Sequence, residues 1–325
     1  MTLNKSIKYL SSKPNYFIRI AIVCLILIGY QFISLSSFIV RIVSKNEIST
    51  SCIPSLNQSI LRNYKTSTAR TLVVYVYAKN YNSALQNLIF FIRTAVHQSH
   101  DADYYFILQQ VNKIPVDESK LPSLPPNAHY IQHENICYDL GTIGWFLSSN
   151  IVNTTKYKHF VFLNSSVRGP FIVSYYDNPI WYTVFTRSLN DHIKLVGCTI
   201  NCEYSPHVQS YLWALDLEGL NLLKNRRIFA CHQSKNKAIF NAELQATQII
   251  LNSNYGIDCL MKKYQNVDFH LEKNKKCNDK RNPTFDNRVD GITLDPFEVV
   301  FVKMKGGSPE HEDNQRRVHV YEKWI

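Results

Sequence analysis

Hydrophobic and polar positions along this chain switch between two periods. Thr71-Leu-Val-Val-Tyr-Val-Tyr77 is a continuous apolar and β-branched run, which predicts a strand buried on both faces. Over residues 82–97, Leu85, Leu88, Ile89, Ile92 and Val96 recur at the spacing of one helix face. Residues 103–108 (DYYFIL) predict a second strand. Residues 128–133 predict a third, after a proline-rich loop over 111–127. Strand, helix and strand in succession predict a parallel sheet wound in the α/β manner. Residues 134–171 are the centre of the pattern: a polar loop, a short helix from Thr142 to about Asn150, and the strand His159-Phe-Val-Phe-Leu163. The chain then turns polar at Asn164, Ser165 and Ser166, followed by Arg168, Gly169 and Pro170. In open α/β sheets, ligands bind beyond the carboxyl ends of strands. Small hydrogen-bonding residues, an arginine and a Gly-Pro break at such a place suit a phosphorylated ligand. A plain strand-to-loop corner is the alternative.

The second half is more mixed. Residues 174–190 are aromatic, with Tyr175, Tyr176, Trp181, Tyr182 and Phe185, and read as core packing with a helix at the end. Residues 193–198 predict a fifth strand, followed by a polar patch over 199–209 that carries Asn201, Glu203, His207 and Gln209. Residues 210–217 are apolar, and a helix follows over 217–224. The basic segment 225–237 is a candidate flexible loop over a site. Residues 238–251 predict a helix carrying Glu243 and Gln245, with Gly256 of Asn254-Tyr-Gly256 as its C-cap glycine. A short strand over 257–261, a polar surface over 262–287, a turn at Val289-Asp-Gly-Ile-Thr and a last strand over 296–303 complete the pattern. Residues 305–317 read as a mobile tail.

The N-terminus narrows the compartment. Residues 20–40 carry no charge and would span roughly 31 Å as a helix, about one hydrocarbon core. Lys5, Lys8, Lys13 and Arg19 precede this run, and no acidic residue occurs before Glu47. The positive-inside bias keeps the short N-terminus cytoplasmic. A cleaved signal peptide ending near Ser34-Leu-Ser36 is the competing reading. Either places the body in the secretory lumen. The expected organisation is a cytoplasmic tail (1–19), a transmembrane signal anchor (20–40), a stem (41–70), a body (71–303) and a C-terminal tail (304–325). The chain would be a single-pass type II protein of the Golgi or endoplasmic reticulum membrane.

Composition adds two constraints. There are eight cysteines, and Cys24 lies in the span. The others are Cys52, Cys137, Cys198, Cys202, Cys231, Cys259 and Cys277. An oxidising lumen allows disulfides among them, and their odd number leaves at least one free or bonded between chains. Asn57, Asn153 and Asn164 are glycosylation sequons. The formal net charge is +11. Nucleic acid is a usual partner of a basic protein, but a lumenal one rarely meets it. Nucleotide diphosphates and anionic glycans fit better.

The chain contains no G-x-G-x-x-G, Walker A, H-E-x-x-H or G-x-S-x-G motif. That argues against dinucleotide enzymes, P-loop NTPases, zincins and α/β-hydrolases. Glu134-Asn-Ile-Cys-Tyr-Asp-Leu-Gly141, followed by Phe160-Val-Phe-Leu-Asn-Ser-Ser-Val-Arg-Gly-Pro170, resembles the bacterial rhamnan-synthesis F-type polysaccharide glycosyltransferases and their eukaryotic Golgi-type relatives. His207-Val-Gln-Ser210 is similar to the family's His-x-Gln-Ser segment, and Glu243 to its acidic position. The resemblance implies a GT-A-like, Rossmann-like fold: a mixed, mostly parallel sheet with helices on both faces, behind the transmembrane helix. It implies sugar transfer from a nucleotide sugar to a glycan or glycoprotein acceptor. Asn135, Asp139, Asn164, Ser166, Arg168, His207 and Gln209 are then the donor-binding candidates. Glu243 is the candidate general base, and Asp258 the alternative base. A GT-A enzyme commonly holds Mn²⁺ or Mg²⁺ on an Asp-x-Asp. Asn164-Ser-Ser166 stands in that place without a carboxylate, so no metal ligand is assigned. Charge neutralisation would fall to Arg168, or to Arg226 and Arg227. A catalytically inactive relative that binds a glycan or a partner, and a membrane-anchored adhesive protein, are the rival readings.

Overall fold

The apolar run at Thr71–Tyr77 forms strand β1, and all seven of its residues are buried. The computed structural model of the chain describes residues 70–79, 82–173, 180–304 and 309–325. The described residues belong to one unit, Thr68–Ile325. Helix α1 (Ala84–Ala95) follows β1; it buries Leu88 and Ile92 of the predicted face, but its buried stripe also takes in Ala84, Asn87 and Phe91, and Leu85 and Ile89 are only half-buried. β2 (Ala102–Gln109) and β3 (Ala128–His133) continue the sheet in parallel. Helix α2 (Tyr138–Ser148) then leads to β4 (His159–Asn164), which returns to the other side of β1, also in parallel. Helix α2 begins four residues before the expected Thr142, so Asp139 stands in its first turn rather than in a preceding loop.

After β4 come β5 (Val167–Arg168), the short α3 (Thr183–Thr186) and β6 (Ile193–Gly197). A small ribbon of β7 (Ile200–Asn201) and β8 (His207–Val208) precedes β9 (Leu212–Asp216). β9 lies antiparallel between β4 and β6. Helix α4 (Leu217–Asn225) is capped by the Asp216 side chain, which accepts from Gly219 N. The next helical segment is compound: α5 (Lys235–Ala238), a π-turn (Ile239–Glu243) and α6 (Leu244–Asn252). β10 (Gly256–Cys259) completes a seven-stranded sheet in the order β10-β6-β9-β4-β1-β2-β3. The result is a mixed α/β fold with a mostly parallel sheet, compatible with a Rossmann-like architecture.

The C-terminal region departs from its sequence reading. Residues 296–303 are not one strand. Asp295 accepts from Phe297 N and caps a single helical turn, α7 (Pro296–Val299), with proline at its start. Val300 then takes a positive φ of 65°, and only β11 (Val302–Lys303) is extended. The expected mobile tail contains helix α8 (Glu312–Tyr321), which buries Asn314 and Val318. Tyr321 stacks on Phe297 with ring centroids 4.8 Å apart. The helix ending at Asn252 is closed by Asn254 in the left-handed conformation (φ 62°), while Gly256 opens β10.

Aromatic side chains join these parts. Phe91 meets Tyr75 at 5.1 Å and Trp181 at 5.3 Å, and Trp181 meets Phe301 at 5.4 Å. Trp181, Tyr182 and Phe185 are thus core residues, as their segment predicts; residues 174–179 lie outside the described residues. Among the described residues there are two disulfides, Cys137–Cys231 and Cys202–Cys277, while Cys198 and Cys259 are free and buried. Among the described residues no helix is long and apolar enough to cross a membrane. The span expected at 20–40, the stem with Cys52, and the sequon at Asn57 lie outside the described residues.

Candidate functional site

β1 runs on to β2 and β3 on one side and has β4 on the other, so the strand order reverses direction between β1 and β4. A crevice forms at the carboxyl ends of strands at such a switch point. A cleft of about 780 Å³ lies there, lined by Val76 and Ala78 at the end of β1, Gln109 at the end of β2, and Asn164 to Ser166 at the end of β4.

The corner at the end of β4 is held by side-chain hydrogen bonds. Asn164 Nδ2 donates to Asp139 Oδ2 at 2.5 Å. Its Oδ1 accepts from Ser166 N at 3.0 Å and from Ser166 Oγ at 2.5 Å. Ser165, which carries no role in the sequence reading, staples β4 to β1: its Oγ accepts from Ala78 N and donates to Ala78 O, each at 3.1 Å. Asn135 and Asp139 enter the same cleft from the segment that starts α2. Burial pushes the Asp139 carboxyl up. The Asn164 amide opposes that rise, and the negative charge of Glu243 adds to it.

A second wall comes from the chain before α5. Cys137 and Tyr138 both take left-handed backbone angles (φ 70° and 55°), unusual for two consecutive non-glycine residues. The Cys137–Cys231 disulfide ties this point to residue 231. A Cβ on Gly144 would lie 2.0 Å from Phe229 O, and one on Gly141 would lie 3.3 Å from Ala230 O. Glycine at these two positions therefore lets residues 229–231 lie directly on α2. The basic segment expected as a flexible loop is instead anchored, with Ile228 and Phe229 buried. It contributes His232, Gln233 and Lys235 to the cleft.

Glu243 closes the site from the end of the π-turn, and its Oε1 accepts from Ser210 N at 2.9 Å. π-turns inside helices recur at functional sites, because the extra residue re-aims the side chains around it.

Five of the sequence candidates thus line one cleft: Asn135, Asp139, Asn164, Ser166 and Glu243. The other four do not. Arg168 is buried, donates to Asn87 Oδ1 at 2.6 Å, pairs with Glu322 and packs over the Phe90 ring. His207 is buried with Nδ1 2.7 Å from Ser205 O. Gln209 is buried and accepts from Thr199 Oγ1 at 2.8 Å. Asp258 lies on β10, at the edge of the sheet, and accepts from the backbone N–H of Cys259 at 2.7 Å. Arg226 and Arg227 are exposed and do not line the cleft either. Lys303 does, although no sequence signal singles it out: β11 pairs antiparallel with β5, which sets Lys303 opposite Val167.

The Asn164–Ser166 segment offers no carboxylate of its own, and Asn164 Oδ1 is taken by Ser166; the carboxylates of the cleft are those of Asp139 and Glu243, of which Asp139 accepts from Asn164 and Glu243 from Ser210 N. Among the described residues no three His, Cys, Asp or Glu side chains group so as to hold a metal ion. Fold and site together define an α/β protein with a polar cleft at the switch point of its sheet. No protein-family model matches the chain, and no curated protein matches it.

Proposed function

We propose that the chain is a lumenal glycosyltransferase with a GT-A-like fold, which moves a sugar from a nucleotide-sugar donor to a glycan or glycoprotein acceptor. The observation that carries this reading is the convergence of Asp139, Asn164, Ser166 and Glu243 on one cleft at the carboxyl ends of the sheet. These residues come from three separate segments of the motifs that resemble the rhamnan-synthesis F-type family. The mixed, mostly parallel sheet is of the kind that the resemblance implies. Two disulfides in the body support an oxidising compartment, and so favour a lumenal placement of the body.

In this reading Asn135, Asp139, Asn164 and Ser166 hold the donor. Glu243 takes the proton from the acceptor hydroxyl as its oxygen attacks the anomeric carbon; the bond from that carbon to the diphosphate breaks, and a nucleoside diphosphate leaves. Glu243 Oε1 is held by Ser210 N, which fixes the carboxylate and leaves Oε2 for the acceptor.

A panel of nucleotide sugars, tested by thermal shift and by transfer or hydrolysis, examines this reading. A ligand that binds only the folded state raises its unfolding temperature. One member of the panel should do so and be consumed. Binding without turnover would favour an inactive relative, and binding of none would remove the glycosyltransferase reading.

A further inference from the structure

A nucleotide-sugar donor brings a diphosphate into the cleft, and that charge needs a counter-charge. The arginines that the sequence offers are elsewhere. Arg168 is buried against Glu322 and Asn87, and Arg226 and Arg227 lie outside the lining. The segment Asn164–Ser166 contributes no carboxylate of its own, and the nearby Asp139 carboxyl is engaged by Asn164. Lys303, however, is brought to that corner by backbone pairing. It sits opposite Val167 in the β5–β11 ribbon, and the next residue, Met304, donates its N–H to Ser166 O at 2.7 Å. Its Nζ stands 5.4 Å from the centre of the Tyr211 ring, a contact that restrains a flexible side chain. Tyr211 is itself buried and hydrogen-bonded to Thr199, so this support is rigid. Lys235 brings a second ammonium into the same cleft.

We propose that Lys303 is the residue that receives the diphosphate of the donor and of the departing nucleoside diphosphate, with Lys235 adding to the counter-charge. This rests on the glycosyltransferase reading and names the group that takes the metal's part in it. An ammonium is a compact point charge that can follow a phosphate as the sugar bond lengthens and breaks.

The test compares nucleoside diphosphates with the corresponding free nucleosides, by calorimetry on the full chain in the presence of a chelator. Lys303→Met keeps the aliphatic stem against Tyr211 and removes the charge. It should weaken diphosphate binding by roughly 10- to 100-fold and leave nucleoside binding unchanged. Lys303→Arg should recover most of the loss. Arg226→Met, which removes an equal charge outside the cleft, should change neither. Lys303→Gln serves as a second charge-free variant if Met disturbs folding, which unfolding temperature reports. Equal diphosphate affinity in the parent and in a folded charge-free variant overturns the role of Lys303 and leaves the nucleotide-sugar reading standing. Failure of every nucleoside diphosphate to bind the parent protein overturns both.

Discussion

Asn164 donates its side-chain amide to the Asp139 carboxylate over 2.5 Å, which ties the end of β4 to the first turn of α2. The place disfavours charge on that carboxyl: burial and the neighbouring Glu243 raise its pKa, and the Asn164 amide recovers only part of that.

The first prediction follows from the direction of this shift. Below the ordinary value of 3.8, Asp139 is protonated in both folded and unfolded chains and costs nothing. As pH rises from there through the raised folded value, the unfolded chain loses its proton first, so stability falls. Above the folded value the full cost persists. Asp139→Asn removes the titration and retains a partner for Asn164. As pH rises from about 4 through the raised folded value, the parent should therefore lose unfolding temperature relative to this variant. The variant should also lose donor binding. A parent that gains on the variant as pH rises would show that Asn164 lowers the pKa more than burial raises it.

Glu243→Gln should lower sugar transfer by about 10²-fold or more while donor binding survives. Glutamine can still accept from Ser210 N, so the π-turn keeps its hydrogen bond. Transfer kinetics and calorimetric binding on the same preparation read the two effects separately. Near-parental turnover would take Glu243 out of the mechanism.

Arg168 should matter to stability and not to the ligand. Burial pushes its guanidinium down to about 10, which still leaves it cationic at neutral pH. Its side chain is 7% exposed and that of Glu322 is 22% exposed. Arg168→Met would strand Glu322 and one side of Asn87, at a cost of about 3 kcal/mol in denaturant unfolding. Nucleoside diphosphate affinity of the folded variant should match the parent. A loss of affinity without a loss of stability would return Arg168 to the donor site.

Much of this fold is legible along the chain, for identifiable reasons. β1 and β4 are buried strands with apolar runs, which survive tertiary context, and β2 buries its Phe106-Ile-Leu108 end; β3 buries only Ala128 and is marked instead by its place after the proline-rich loop. β9 is less legible as an antiparallel strand, since Leu-Trp-Ala-Leu has no period of its own and its direction depends on its neighbours. At 296–303, β-rich residues outvoted the Asp295-Pro296 start signal, and the cap prevailed. Helix α8 is mostly polar and buries little, so its apolar stripe is faint in sequence. The site shows the same limit. Asn164 ends β4, a strand the sequence marks, while Asp139 lies in the first turn of α2, whose start the sequence places four residues late. Lys303 reaches the cleft only through a two-residue ribbon with partners far away in the chain. Arg168 points into the core because β5 pairs with β11, a fact no local pattern contains.

The sequons test where the cleft lies. Asn153 is exposed, and its Oδ1 accepts from Thr155 N at 3.0 Å at the start of a short surface helix. Its amide nitrogen points to no partner among the described residues and can carry a glycan. Asn164 makes the same turn through its Oδ1 but differs at its amide nitrogen. Its amide nitrogen, the atom that would be glycosylated, donates to Asp139, and its side chain lines the cleft. A glycan there would break that bond and fill the space a donor needs. In a lumenal protein, glycan should therefore occupy Asn153 and be absent from Asn164; Asn57, in the expected stem, should also be occupied. Enzymatic deglycosylation in heavy-oxygen water followed by peptide mass spectrometry reads each site. Absence of glycan at all three would speak against the lumenal topology. High occupancy at Asn164 in protein that still binds donor would make the β4 corner an exposed surface, and the donor site would have to lie elsewhere.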